Sequence, residues 1–399
     1  MTQIKRWPVL FASMAILLCT GAVYAFSVFA GPLSQLKDWS IAEIMIAFTI
    51  NAAISPIPSI LGGYFTDKGW AKWTIFAGGA LFASGFSLTS FVTTPAMLYF
   101  SYGIVAGLGQ GFAYSGCLSN TIRLFPDKRG LASGLITAGM GGATIMAAPL
   151  ANLIIERADV LQAFRLMGIL YLVVVVVATF FIQTAPANFV PEGWTPPNQR
   201  QGGLVNKNWQ QMLGTKEFYL IMAMLSIGAF SGLMIASNAS VIGQQMFALS
   251  AQVAALFVSV YSLSNCLGRV LWGMVSDRLG RTKTLFIIYS VVALSLLLLA
   301  VNSASLGFAL GIIGLGLCFG GVMGVFPAIV MENYGPVNQG VNYGIVFTGY
   351  SIAALFAPNV AASIAETNQG DFTLAFYIAI VLAIIGLGLN MIYMTIKRK

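Results

Sequence analysis

The sequence contains no histidine, and charged residues make up only 8% of its 399 positions. Soluble domains carry roughly a quarter charged residues, so this chain cannot cover a water-facing surface. The absence of histidine removes the commonest metal ligand, general base and proton relay together. Its four cysteines, Cys19, Cys117, Cys266 and Cys318, form no CxxC pair and fall inside apolar stretches. That placement excludes a zinc or thiol-redox motif and reads as small buried hydrophobes. There is no Walker A sequence, and the run Gly107-Leu108-Gly109-Gln110-Gly111 sits within an apolar stretch with no strand before it. It reads as close helix packing, not a nucleotide loop. No metal and no cofactor are expected.

What the chain does have is apolar length. Hydrophobic residues make up 58% of it, in recurring runs of about 20 residues, each enough to cross roughly 30 Å of hydrocarbon as a helix. The expected fold class is therefore an all-α integral membrane protein. The net charge of +8 would suggest nucleic acid in a soluble chain, but the basic residues flank apolar spans, where they set orientation. No nucleic-acid partner is expected. Lys5-Arg6 opens an apolar stretch too long for a cleavable signal core, which reads as a retained first helix.

Charged and Pro/Gly-marked breaks predict helices near 7–36, 40–62, 73–92, 96–123, 131–154 and 160–183, then near 218–247, 252–275, 284–302, 305–331, 341–365 and 372–396. Residues 184–216 are polar and Pro/Gly-rich, as in Pro191-Glu192-Gly193-Trp194-Thr195-Pro196-Pro197, and form a linker. The expected domains are an N-terminal six-helix bundle over 1–183 and a C-terminal one over 217–399. Lysines and arginines gather at the termini and even-numbered loops (Lys5, Arg6, Lys68, Lys72, Arg123, Lys128, Arg129, Arg200, Lys207, Lys216, Arg278, Arg281, Lys283, Lys397, Arg398 and Lys399). Only Lys37, Arg157 and Arg165 fall opposite. By the positive-inside rule both termini and the linker are cytoplasmic, and Trp7, Trp39, Trp73 and Trp209 near span ends fit an interfacial belt.

The two halves repeat. Gly63-Tyr64-Phe65-Thr66-Asp67-Lys68-Gly69 answers Gly273-Met274-Val275-Ser276-Asp277-Arg278-Leu279-Gly280-Arg281. Aligning the aspartates sets an offset of 210 residues, which also pairs Gly111 with Gly321, Gly130 with Gly340, Gly134 with Gly344 and Gly139 with Gly349. Parallel repeats suit a transporter with a site at the repeat interface. The G-x-x-x-D-[KR]-x-G pattern, one residue shorter in its first copy, resembles the signature of the major facilitator superfamily across the whole chain. The resemblance implies twelve transmembrane helices in two bundles and a gating role for Asp67, Lys68, Asp277 and Arg278. The alternative is that these charges only stop the helices at the membrane surface.

One ionisable acid or base remains deep within a span: Arg269. It lies eight residues before Asp277, about 12 Å along a helix, near the bilayer midplane. An arginine there costs roughly 2.5 to 3.5 kcal/mol on insertion scales, and no deep carboxylate is available to pair with it. A guanidinium presents a planar donor fork matched to a carboxylate, so the substrate is the expected counter-ion. A structural bridge to helix carbonyls is the alternative. Asn265, four residues earlier on the same face, is placed to orient the guanidinium or touch the ligand. Tyr24, Tyr114 and Tyr350 are candidate site tyrosines that could equally be packing.

Phe125-Pro126-Asp127-Lys128-Arg129-Gly130-Leu131-Ala132-Ser133-Gly134, Gly320-Gly321 with Phe326-Pro327, and Asn342-Tyr343-Gly344 resemble the oxalate/formate antiporter family. This implies that Arg269 holds a substrate carboxylate and that Tyr24, Tyr114 and Phe319 close the pocket. One departure stands out: the oxalate transporter carries a lysine in helix 11 where this chain aligns Tyr350. Two cations suit a dianion and one suits a monoanion, since a second buried carboxylate would go uncompensated. Met140, Phe319 and Met323 would make the pocket more apolar. The expected substrate is a monocarboxylate of the lactate, pyruvate or formate type, carried by a monomer in a bacterial cytoplasmic membrane. Exchange and proton symport both remain open, with symport favoured. An enzyme would need an acid, base, nucleophile or metal constellation that the spans lack. A carboxylate-sensing transceptor is the reading of a different class.

Overall fold

The computed structural model describes residues 4–186, 189–194, 206–302 and 304–398. Arg200 and Lys399 of the charge count, and residues 195–205 of the linker, lie outside the described residues. No strand occurs among the described residues, and twelve membrane-crossing helices follow one another. They are α1 (Arg6–Lys37), α2 (Ile41–Ile54 continued by Pro56–Phe65), α3 (Ala71–Leu88), α4 (Pro95–Leu98, Tyr99–Ala106 and Gly107–Leu124 in series), α5 (Arg129–Arg157) and α6 (Val160–Phe181). After the linker come α7 (Lys216–Met246), α8 (Ala251–Leu279), α9 (Arg281–Val301), α10 (Ser305–Tyr334), α11 (Gln339–Thr367) and α12 (Thr373–Arg398).

Several helices are interrupted at positions the sequence explains. In α2 the helix is broken at Ser55, before Pro56 and Pro58, because proline has no N–H to continue the ladder. Between Tyr99 and Ala106, α4 widens into π-helical turns, and in α1 residues Gly21–Ala25 tighten to a 3-10 geometry. Such irregular turns are frequent at functional sites. Ser40 starts α2 with a reciprocal capping box: its hydroxyl accepts from the Glu43 N–H, and the Glu43 carboxylate accepts from the Ser40 N–H at 2.9 Å.

The chain packs as two contact units. The first comprises Met1–Asp127, Gly139–Trp209 and Met331–Ile345; the second comprises Lys128–Ala138, Gln210–Val330 and Val346–Lys399. These units differ from the sequence halves by two short exchanges, the start of α5 and the segment from the end of α10 to the start of α11. The first unit is built around an aromatic cluster: Phe26 stacks on Tyr102 at 4.1 Å, Phe29 on Phe164 at 4.4 Å, and Phe86 meets Tyr171 at 5.4 Å. Ring contacts of this kind add about 0.5–1.5 kcal/mol beyond area burial. The buried Tyr102 hydroxyl is satisfied by the Val23 carbonyl at 3.1 Å. In the second unit Tyr261 and Tyr289 each donate to a backbone carbonyl of α7, Gly232 and Met224, at 2.6 Å. All four cysteines are free thiols, three of them buried.

Candidate functional site

The repeated aspartates do the same work in each unit. In the first, the two carboxylate oxygens of Asp67 accept from the backbone N–H groups of Gly340 and Val341, both at 2.9 Å. In the second, Asp277 accepts from Gly130 at 2.8 Å and Leu131 at 2.9 Å. The pairs are related by the same 210-residue offset. Each carboxylate thus satisfies orphan donors at a helix start, where the positive end of the dipole favours an anion. The motif ends in Gly69 at φ +90° and Gly280 at φ +86°, a left-handed turn that a side chain would strain.

The cations paired with these aspartates are not the ones that follow them in the motif. Lys68 and Arg278, expected at the gates, are exposed and form no ion pair with either aspartate among the described residues. The Lys68 ammonium lies 5.6 Å from the Tyr64 ring. Arg123, at the end of α4, is 5% exposed and pairs with Asp67, while its Nε donates to the Pro336 carbonyl at 2.8 Å and its Nη2 to that of Val337 at 3.1 Å. Arg281 pairs with Asp277 at 2.8 Å. Arg281 was legible as an i,i+4 partner. Arg123 carried no signal apart from its charge, since only the fold brings α4 beside Asp67.

Arg269 is 8% exposed and Asn265 6%. The guanidinium Nε donates to Asn265 Oδ1 at 3.0 Å and Nη1 to the Thr137 carbonyl at 2.7 Å. Arg269 meets no carboxylate among the described residues, and its Nη2 donates to none of them. Asn265 Nδ2 is buried and likewise unpartnered. Beside the guanidinium, the Asn265 amide is therefore left with an unmatched donor where an unpaired buried polar group costs free energy. The backbone here is boxed in by glycine. A Cβ on Gly320 would come within 3.0 Å of the Asn265 carbonyl oxygen, and one on Gly324 or Gly134 within 3.0 Å of that of Arg269. Backbone-to-backbone approach of α5 and α10 to α8 therefore holds the arginine in place.

The other expected site residues divide between the units. In the second unit, Phe319 and Met323 lie one turn apart on α10, 7% and 3% exposed. The Phe319 ring packs where a Cβ on Gly232 would stand. Tyr350 stacks on Phe347 at 4.8 Å, with planes 7° apart. In the first unit, the Tyr114 hydroxyl is hydrogen-bonded to that of Tyr343 at 3.3 Å. Tyr24 is 41% exposed and lies in the 3-10 segment of α1. Met140 is buried, its carbonyl close against Gly21 of that same segment. Tyr343 belongs to the Asn342-Tyr343-Gly344 motif, which carries no mark in sequence of its pairing with Tyr114.

The twelve-helix fold with duplicated aspartate caps defines a transporter class, and the sequence comparison agrees. The Major Facilitator Superfamily matches residues 10–246 and 224–399, and the chain belongs to that superfamily. It is 29% identical over 392 residues to the oxalate:formate antiporter of Oxalobacter formigenes, covering 96% of this chain and 90% of that protein. Monocarboxylate transporter 12 of Xenopus laevis is 24% identical over 421 residues, covering 98% and 90%. Apicoplast pyruvate carrier 1 of Toxoplasma gondii is 24% identical over 410 residues, covering 88% and 74%. Among solved structures, the proton:xylose symporter XylE superimposes with a TM-score of 0.74 at 14% identity over 96% of this chain and 94% of that one. The transporter FucP, in its outward conformation, does so with 0.70 at 14% identity over 97% and 98%. These two likenesses carry the fold. The chain is a multi-pass membrane transporter.

Proposed function

We propose that this transporter carries a small monocarboxylate of the lactate, pyruvate or formate type by alternating access, as a proton symporter. The observation that carries the reading is Arg269: a buried guanidinium without a carboxylate partner among the described residues, beside the unmatched Asn265 Nδ2. One carboxylate supplies the two acceptor oxygens that these donors lack. A second anionic group would need a second cation, and by the resemblance to the oxalate/formate antiporter family Tyr350 stands where the oxalate transporter carries a lysine. Tyr24, Tyr114, Tyr350, Phe319, Met140 and Met323 are proposed as pocket residues. Asp67 and Asp277 act as gates whose caps must break and reform in the cycle, with Lys68 and Arg278 beside them. Both termini face the cytoplasm of a bacterial cell, and the protein works as a monomer.

The similarity to an antiporter of oxalate and formate supports a second reading, exchange of organic anions. Uptake of radiolabelled lactate, formate and oxalate into proteoliposomes separates the two. Symport predicts net monocarboxylate uptake driven by an inward proton gradient. Exchange predicts uptake only into liposomes preloaded with an anion, and a preference for oxalate would refute the monocarboxylate assignment. A liganded protein that moves no solute would favour a carboxylate-sensing transceptor.

A further inference from the structure

The corner between α10 and α11, residues 334–342, is held from two directions, and only one of them is the Asp67 cap. The other is the linker. Lys207 donates its backbone N–H to the Tyr334 carbonyl at 2.9 Å. Its own carbonyl accepts from Asn338 Nδ2 at 3.2 Å and Asn342 Nδ2 at 2.9 Å. Asn342 is fully buried and its Oδ1 has no partner, so the bond to Lys207 is what its amide contributes. A buried amide with one unmatched end is costly, which argues that its place here has a use. On the opposite side Arg123 holds the Pro336 and Val337 carbonyls, and Asp67 holds the Gly340 and Val341 N–H groups. The internal repeat supplies a comparison. At the 210-residue offset Asn338 corresponds to Lys128 and Asn342 to Ala132, so the start of α5, capped by Asp277 in the same way, has no such amide pair.

We infer that Asn338 and Asn342 are positioning residues: by tying the α10–α11 corner to the Lys207 peptide, they aim the Gly340 and Val341 N–H groups at Asp67. The end of the linker is thereby a working part of one cap and not of its counterpart. The inference goes beyond the proposed function and holds whichever anion is carried.

Amide hydrogen exchange on the full-length protein in lipid nanodiscs tests it, comparing a peptide spanning 334–345 with one spanning 128–134. In Asn338→Leu/Asn342→Leu, exchange at Gly340 and Val341 rises about fivefold or more, the effect of losing roughly 1 kcal/mol of hydrogen bonding, while Gly130 and Leu131 are unchanged. Asp67→Asn, which weakens the cap directly, marks the exchange level of a released corner. No rise at Gly340 and Val341, or an equal rise at both starts, overturns the inference; the second outcome is what general loosening of the fold produces. If the double variant does not fold, the part-buried Asn338→Ala alone is held to the same two criteria.

Discussion

Replacing Arg269 with glutamine separates binding from folding in a way a purely structural arginine would not. Arg269 is 8% exposed, and its guanidinium hydrogen-bonds to Asn265 Oδ1 and the Thr137 carbonyl. No carboxylate neutralises it among the described residues. Removing a buried charge with no counter-ion sheds a desolvation penalty, and glutamine can still donate to one of the two oxygens. The melting temperature of Arg269→Gln should therefore hold or rise. Substrate loses a charge-assisted contact at the former Nη2 and the field of a full positive charge. Each charged hydrogen bond contributes about 1.5–3 kcal/mol, so the apparent affinity should fall about ten- to a hundredfold, at 1.4 kcal/mol per decade. Asn265→Leu should lose a similar amount, because it removes both the Nδ2 donor and the Oδ1 that aims the guanidinium. The double variant should then lose less than the sum, since neighbours in one network are not additive. The assay is proteoliposome uptake of lactate across a concentration series, with thermal unfolding of each variant in detergent. Unaltered uptake by Arg269→Gln, or a marked drop in its stability, would refute the reasoning and make Arg269 a structural bridge.

Asp67→Asn leaves Arg123 buried without a counter-charge, a situation that costs about 3–5 kcal/mol, whereas the Asp277 side chain is more exposed, 18% against 7%. Asp67→Asn should therefore slow turnover more than Asp277→Asn, which initial uptake rates at saturating substrate will show. Gly320→Ala drives a methyl group into the Asn265 carbonyl, and overpacking of this kind costs about 1–3 kcal/mol. Lower thermal stability and weakened uptake should appear together there, while Gly388→Ala, whose added methyl meets nothing within 4 Å, should be neutral. Tyr350→Lys adds a second cation and should raise the oxalate-to-lactate uptake ratio at least about tenfold; an unchanged ratio would show that position 350 does not select for charge.

Much of this protein was legible before folding was considered. Hydropathy together with charged and Pro/Gly-marked breaks locates the spans, because a helix in hydrocarbon must satisfy every backbone group within itself and the signal is local and long. The predicted first helix at 7–36 is found as Arg6–Lys37, and the tenth at 305–331 as Ser305–Tyr334. Ends were less exact: α2 runs on to Phe65, past its predicted limit, because no apolar break marks the Asp67 turn. Arg269 and Asn265 were likewise readable, since four-residue spacing places them on one helical face, and they are 3.0 Å apart.

The sequence by itself determined that the chain crosses the membrane many times, that its halves repeat, and that one arginine lies deep within a span. All three depend on composition and spacing along a single helix. Only the tertiary structure decided what the motif charges do. Lys68 and Arg278 sit beside their aspartates in sequence but form no ion pair with them among the described residues, whereas Arg123 reaches Asp67 from 56 positions further on. The glycines around Arg269 and the two asparagines on Lys207 belong to the same class. Their partners are set by how helices cross, and a crossing joins residues far apart in the chain that carry no mark of each other.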